Sequence, residues 1–200
     1  MKELYLSLDY LPIEALVSMI DDPNREPCQR ILEEHRCLFE KVRGATHNHH
    51  TWEGGYIDHV TDCMNYTRHL FAFVCAIGRP MPFALPDALL VMFLHDLEKP
   101  WRILVQEGQI SNRPGLTTKA DFKAFREGKL VEYNIRLTPY QINAFTYVEG
   151  EGEDYTSLRR VKNELGAFCH KVDVWSARGW YDYPKAEGDG WEGAGRVRTC

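Results

Sequence analysis

ALLVMFLHDLEK, residues 88–99, decides the reading of this chain. Its first seven residues, Ala88 to Leu94, are apolar all round, the mark of a helix enclosed by its neighbours rather than lying on a surface. Leu85-Pro86-Asp87 supplies the start: proline suits the first helical position, and the acid suits the positive end of the helix dipole. Pro100 is expected to end the helix. The run therefore delivers His95 and Asp96 at the end of a buried helix. A buried imidazole and a buried carboxylate are costly unless they are paired or bound to a cation.

Two other stretches bear on that cation. In HHTWEGGYIDH, residues 49–59, the paired glycines Gly54-Gly55 let the backbone turn tightly before a helix and aim His59 inward from its first turn. In CHKVDVW, residues 169–175, Asp173 stands among Phe168, Val172, Val174 and Trp175 on a helix that otherwise reads as core, so it needs a partner. Each residue alone has a plainer reading: a solvated helix end for His95-Asp96, a structural histidine for His59, a salt bridge for Asp173. Convergence of all four is what would distinguish a site.

The rest of the chain reads as helices joined by loops. Ile13, Leu16, Val17 and Ile20 mark one face of a helix within 12–20, which Asp21-Asp22-Pro23-Asn24 breaks. A second helix is expected over about 28–42 with Gly44 as its stop, and a third over about 56–76. Residues 103–137 read as loop around Gly108, Pro114 and Gly115, with a short charged helix over 120–127. Thr138-Pro139-Tyr140-Gln141 is a capping box opening a helix to about Val148. A last helix is expected over 157–178. No strand is expected. The fold class is all-α, a bundle of six or seven helices. Its parts are an N-terminal helical lead-in (1–44) packed on the core, a main domain (45–182) and a flexible tail (183–200).

Composition excludes several classes. At 200 residues and 44% apolar content the chain can bury one sizeable core. A net charge of −5 argues against a general nucleic-acid binder. The longest apolar run is far short of the roughly 20 residues of a membrane span, and residues 1–10 lack a secretory pattern, so a soluble cytoplasmic protein is expected. The six cysteines, Cys28, Cys37, Cys63, Cys75, Cys169 and Cys200, form no Cys-x-x-Cys pair. That argues against a cysteine-built structural zinc site and for reduced, mostly buried thiols, with Cys200 exposed.

Together the motifs resemble the HD-domain superfamily of metal-dependent phosphohydrolases. Residues 49–59 resemble its His-His-x-x-x-Gly-Gly-x-x-x-His signature, residues 88–99 its apolar helix ending in His-Asp-x-x-Lys, and Asp173 the final aspartate on a late helix. The resemblance covers about residues 45–180 and implies an HD-type helical bundle in which His59, His95, Asp96 and Asp173 bind a divalent metal. Imidazoles with carboxylates suit Mn²⁺, Fe²⁺, Co²⁺ or Ni²⁺, and Mg²⁺ less well. The implied reaction is attack of metal-bound water or hydroxide on phosphorus in a nucleotide, a deoxynucleoside mono- or triphosphate. Asp96 is placed to orient the nucleophile or bridge to a second ion. Lys99 can neutralise phosphate charge, and His49 and His50 can contact phosphate or protonate the leaving oxygen. Trp52 can stack on a base and Arg102 can hold substrate. Glu98 departs from the family pattern, with general base, ligand contact and surface residue all open. The two-metal phosphodiesterase branch adds two histidines before the last aspartate; here only His170 stands in that interval, which favours one ion. Competing readings are a phosphodiesterase or exonuclease on nucleic acid, and a non-hydrolytic relative, either a di-iron oxygenase or a ligand-binding module. A homo-oligomer is compatible with all of them.

Overall fold

The computed structural model describes residues 9–45, 49–106 and 109–179, with only the backbone at 106, 109 and 110. The expected tail (183–200), Cys200 and Gly108 lie outside these residues. The helices are α1 (Ile13–Val17), α2 (Arg25–Phe39), α3 (Gly55–Ala76), α4 (Leu85–Leu94), α5 (Lys99–Arg102), α6 (Lys119–Glu132), α7 (Pro139–Tyr147) and α8 (Glu164–Arg178). A 3₁₀ turn, Gly152–Asp154, lies between α7 and α8. Six of these helices have nine or more residues, so the chain is an all-α bundle of the size its periodicity implied.

The bundle is built around α4, where Leu85 and every residue from Ala88 to Leu94 are buried. It packs against α3, α7 and α8, while α1 lies across α3 and α4. Ile13, Leu16, Val17 and Ile20 join the same core as Leu89, Met92 and Leu165, so the N-terminal helices share one apolar interior with the rest. Each such side chain gains roughly 1.5–3 kcal/mol from burial. No helix among the described residues is long and apolar enough to cross a membrane. Cys28, Cys37, Cys63, Cys75 and Cys169 are free thiols; Cys28, Cys63 and Cys169 are buried, Cys37 and Cys75 exposed.

Local chemistry sets the boundaries. Thr118 and Thr138 each accept a hydrogen bond from the backbone three residues on, and Asp121 and Gln141 reach back to the cap N–H groups. α2 begins at Arg25, earlier than the sequence suggests, because Pro27 falls in the first turn, where its missing N–H is not needed. Gly44 does not end α2. The helix closes at Glu40, and Gly44 instead donates its N–H to the His50 carbonyl at 2.8 Å. Pro100 does not stop α4 either: the helix ends at Leu94, and Pro100 sits in the first turn of α5.

Two further expectations are corrected. A hairpin of β1 (Ile103–Gln106) and β2 (Gln109–Asn112) pairs antiparallel, Ile103 opposite Asn112 and Gln106 opposite Gln109. Four-residue strands are too short for alternation to show, and the hairpin stands where only loop was expected. α8 starts at Glu164 rather than near 157. Asn143 of α7 donates to the Val161 carbonyl at 2.9 Å and accepts from Asn163 N–H at 2.8 Å, holding the approach extended. Asn163 then caps the helix through Gly166 N–H at 2.7 Å.

Candidate metal centre

Three separate segments send donor atoms to one point. His59 comes from the second turn of α3, His95 from the residue closing α4, Asp96 from the turn after it, and Asp173 from the middle of α8. His59 Nε2 lies 3.2 Å from His95 Nε2, 3.3 Å from Asp96 Oδ2 and 3.2 Å from Asp173 Oδ1. His95 Nε2 lies 3.1 Å from Asp96 Oδ2 and 3.6 Å from Asp173 Oδ1. Around a cation with bonds of about 2.1 Å, neighbouring donors stand about 3.0 Å apart at right angles and about 3.4 Å apart in a tetrahedron. Four of the five separations fall in that range, and the fifth, His95 to Asp173 at 3.6 Å, is slightly longer.

The imidazoles are oriented for this task. His95 donates from Nδ1 to the Met92 carbonyl at 2.7 Å, which leaves its Nε2 lone pair pointing into the cluster. His59 places Nδ1 3.0 Å from the hydroxyl of Ser176, a buried residue one turn beyond Asp173. An outer partner on the far ring nitrogen is how ligating histidines are fixed in tautomer and direction. The two Nε2 atoms stand 3.2 Å apart, a contact that needs a proton or another positive charge between them. Electrostatics gives the same sign. Burial opposes charge on His95, but Asp96 and Asp173 outweigh it and lift the imidazole to about 10. Burial would raise Asp96, yet His95 and Lys99 hold it well below the usual carboxylate range. Asp173 is likewise held down by His59 and His95 against burial. The buried group His59, Cys63, His95 and Asp173 could hold a metal ion, and Asp96 Oδ2 stands beside it at 3.1–3.3 Å from the two imidazoles.

The other sequence-derived candidates surround these four. Lys99 Nζ lies 2.5 Å from Asp96 Oδ2, and the lysine is nearly buried. The His49 and His50 rings lie 4.8 and 5.0 Å from the His59 ring, and their Nδ1 atoms are 3.0 Å apart. Burial, reinforced by His59 and Lys99, lowers His49 to about 2 and His50 well below the normal imidazole value, so both rings are neutral. His50 Nε2 lies 3.2 Å from Asp62, which also accepts from the Tyr10 hydroxyl. Trp52 stands 5.0 Å from His50 and donates from Nε1 to Asp58 at 2.8 Å. The glycines of the motif have a clear cause. A Cβ on Gly55 would fall 1.9 Å from the His50 carbonyl oxygen, so only glycine lets the histidine loop lie on the start of α3.

Glu98 and Arg102 face each other rather than the four donors. Glu98 is buried and accepts from Arg102 at 3.1 Å and from Arg126 of α6 at 3.2 Å. Arg126 also donates to the His95 carbonyl at 3.0 Å and to Glu149 at 3.2 Å. Arg102 lies over the Phe122 ring at 4.3 Å. Sequence reasoning missed Arg126, Asp62, Ser176 and Cys63. Ser176 and Cys63 lie three beyond Asp173 and four beyond His59, on the same helix faces, but that spacing is shared by any core residue of a helix and singles out neither. No family model, no curated protein and no solved structure matches this chain.

Proposed function

We propose that the protein is a metal-dependent phosphohydrolase acting on a nucleotide, a deoxynucleoside mono- or triphosphate, with His59, His95, Asp96 and Asp173 holding one divalent ion of the Mn²⁺, Fe²⁺, Co²⁺ or Ni²⁺ type. The observation that carries the reading is the meeting of two outward-anchored imidazoles and two carboxylates at 3.1–3.6 Å, from segments far apart in the chain. The motifs at 49–59 and 88–99, with their resemblance to HD-domain hydrolases, supply the reaction class. When bound, such an ion polarises a phosphoryl oxygen and lowers the pKa of water.

The chain's own groups supply the rest. Lys99 keeps Asp96 ionised and brings positive charge to the place where phosphate charge must be neutralised. Neutral His49, half-buried beside His59, is placed to hold a phosphate oxygen or give a proton to the leaving oxygen. His50, turned to Asp62, orients His49 through their Nδ1 contact. Glu98 with Arg102 and Arg126 fixes the turn that carries His95 and Asp96.

The test is an assay of the full chain, loaded with Mn²⁺, Co²⁺ or Mg²⁺, against nucleoside and deoxynucleoside mono-, di- and triphosphates. Release of phosphate, pyrophosphate or triphosphate is expected, and it should fall at least 100-fold in Asp173→Asn. Absence of release from every nucleotide with every ion overturns the proposal.

A further inference from the structure

A row of hydrogen-bonding groups runs from the surface to the edge of the donor cluster. Tyr10, 55% exposed, donates its hydroxyl to Asp62 Oδ1. Asp62 Oδ2 lies 3.2 Å from His50 Nε2, and His50 Nδ1 lies 3.0 Å from His49 Nδ1. The His49 ring in turn lies 4.8 Å from the ring of His59. Both halves of the row are held in place. Leu11 donates its N–H to Asn65 Oδ1 at 2.8 Å, and its carbonyl accepts from Asn65 Nδ2 at 2.9 Å. The Asp9 carbonyl accepts from Arg68. Asp62, Asn65 and Arg68 follow one another at three-residue steps on α3, so one helix face fastens the strap 9–11 that carries Tyr10. His50 stands at φ 48°, a left-handed conformation unfavourable for a residue with a Cβ, which persists only where the surroundings fix it.

A neutral imidazole carries one N–H and one bare nitrogen, and each contact in the row holds one hydrogen. The row therefore has two polarities. With hydrogen on Asp62 Oδ2, that O–H donates to His50 Nε2, His50 Nδ1–H donates to His49 Nδ1, and His49 bears its hydrogen on Nε2. With Asp62 ionised, every bond reverses and His49 bears its hydrogen on Nδ1. We infer that Asp62, His50 and His49 form a proton relay to the leaving oxygen, with Tyr10 positioning Asp62. The inference rests on the proposed function and adds the source of the proton. One delivery converts the first polarity into the second. The His49 Nε2–H bond breaks as the leaving oxygen gains that hydrogen, the His50 Nδ1 hydrogen passes to His49 Nδ1, and the Asp62 hydrogen passes to His50 Nε2. Both imidazoles end neutral, in keeping with the burial that holds them so. Asp62 ends as a carboxylate and regains its proton from solvent, to which its side chain keeps some exposure. Its neighbours a turn away on α3 are Asp58, His59 and Tyr66.

Nitrogen-15 resonances of the histidine rings distinguish Nδ1–H from Nε2–H and so read the row directly. The full chain with Zn²⁺, a diamagnetic ion, is compared with Asp62→Asn at about pH 8. Asp62 is ionised there in the parent, so His50 should carry hydrogen on Nε2 and His49 on Nδ1. In Asp62→Asn the carbonyl faces Tyr10 and the amide donates to His50, so both rings should show the opposite tautomer. A His49 tautomer that is the same in the two proteins overturns the inference and leaves the proposed function standing. The second readout is turnover of a nucleoside 5′-monophosphate and of its analogue with sulfur in place of the bridging 5′ oxygen, which leaves as a thiolate without needing a proton. The ratio of kcat on the oxygen substrate to kcat on the sulfur one should fall at least about 10-fold in Asp62→Asn. An unchanged ratio overturns the relay alone. No turnover of either substrate by the parent overturns the proposed function and the relay with it.

Discussion

Asp62 shows how one carboxylate is set by its surroundings. It lies between the Tyr10 hydroxyl and His50 Nε2. Burial pushes it up to about 6, more than the Tyr10 hydrogen bond and the nearby His59 pull it down. A carboxyl raised in the folded state contributes stability below its unfolded pKa and loses it as pH rises through the folded value. Asp62 thus costs roughly 3 kcal/mol above pH ~6 and nothing below pH ~4. Asp62→Asn, which keeps a carbonyl for Tyr10, should be more stable than the parent at pH 8 and indistinguishable at pH 4. Denaturant melts at the two pH values check this. Such residues were not legible in the sequence. His59, His95 and Asp96 stand in motifs with distinctive spacing, whereas Asp62, Cys63 and Ser176 sit where any core residue of an amphipathic helix would sit.

At the scale of elements, the start of α3 depends on the contact between Gly55 and the histidine loop. Gly55→Ala should displace that loop, because the obstacle is backbone, a carbonyl oxygen 1.9 Å from the new methyl. A loss of about 3 kcal/mol or more is expected, with loss of metal binding. Gly78, at φ 76° and with open space around it, provides the contrast: Gly78→Ala should cost about 1 kcal/mol and leave metal binding intact. Thermal melts and metal content of the two variants separate the mechanisms. The clamp made by α6 is as specific. Arg126→Met removes a buried cation from Glu98 and from the His95 carbonyl, and should destabilise by about 3 kcal/mol in urea titration. The helices were legible where their start signals and apolar residues are strong, as in α7, capped by Thr138, and α4, apolar all round behind Pro86 and Asp87. The hairpin and the late start of α8 were not. Strands of four residues carry no period, and α8 is delayed by side-chain bonds from Asn143, which only the folded chain brings near.

For the whole molecule, an ion held at the donor cluster, as proposed, would link stability to its binding. Any ligand bound only by the folded form stabilises by mass action, about 2.7 kcal/mol at 100 times its dissociation constant. For a chain of this size that is a rise in Tm of roughly 5–10 °C. Differential scanning fluorimetry with Mn²⁺ or Co²⁺, then with chelator, should show the rise and its reversal. If neither ion moves the melt, the cluster binds neither of them in solution.

The exposed connector at 151–160, between α7 and α8, has a consequence for the intact fold. It divides the donors: His59, His95 and Asp96 lie before it, and Asp173, with its neighbour Ser176, lies after it. A protease nick there would leave two fragments whose apolar faces still match along α3, α4 and α7. Each would hold only part of the proposed ligand set, so that an ion bound there would have to join the two. The cation would become the rivet of a non-covalent complex, retaining both pieces together on a sizing column and releasing them when it is stripped away.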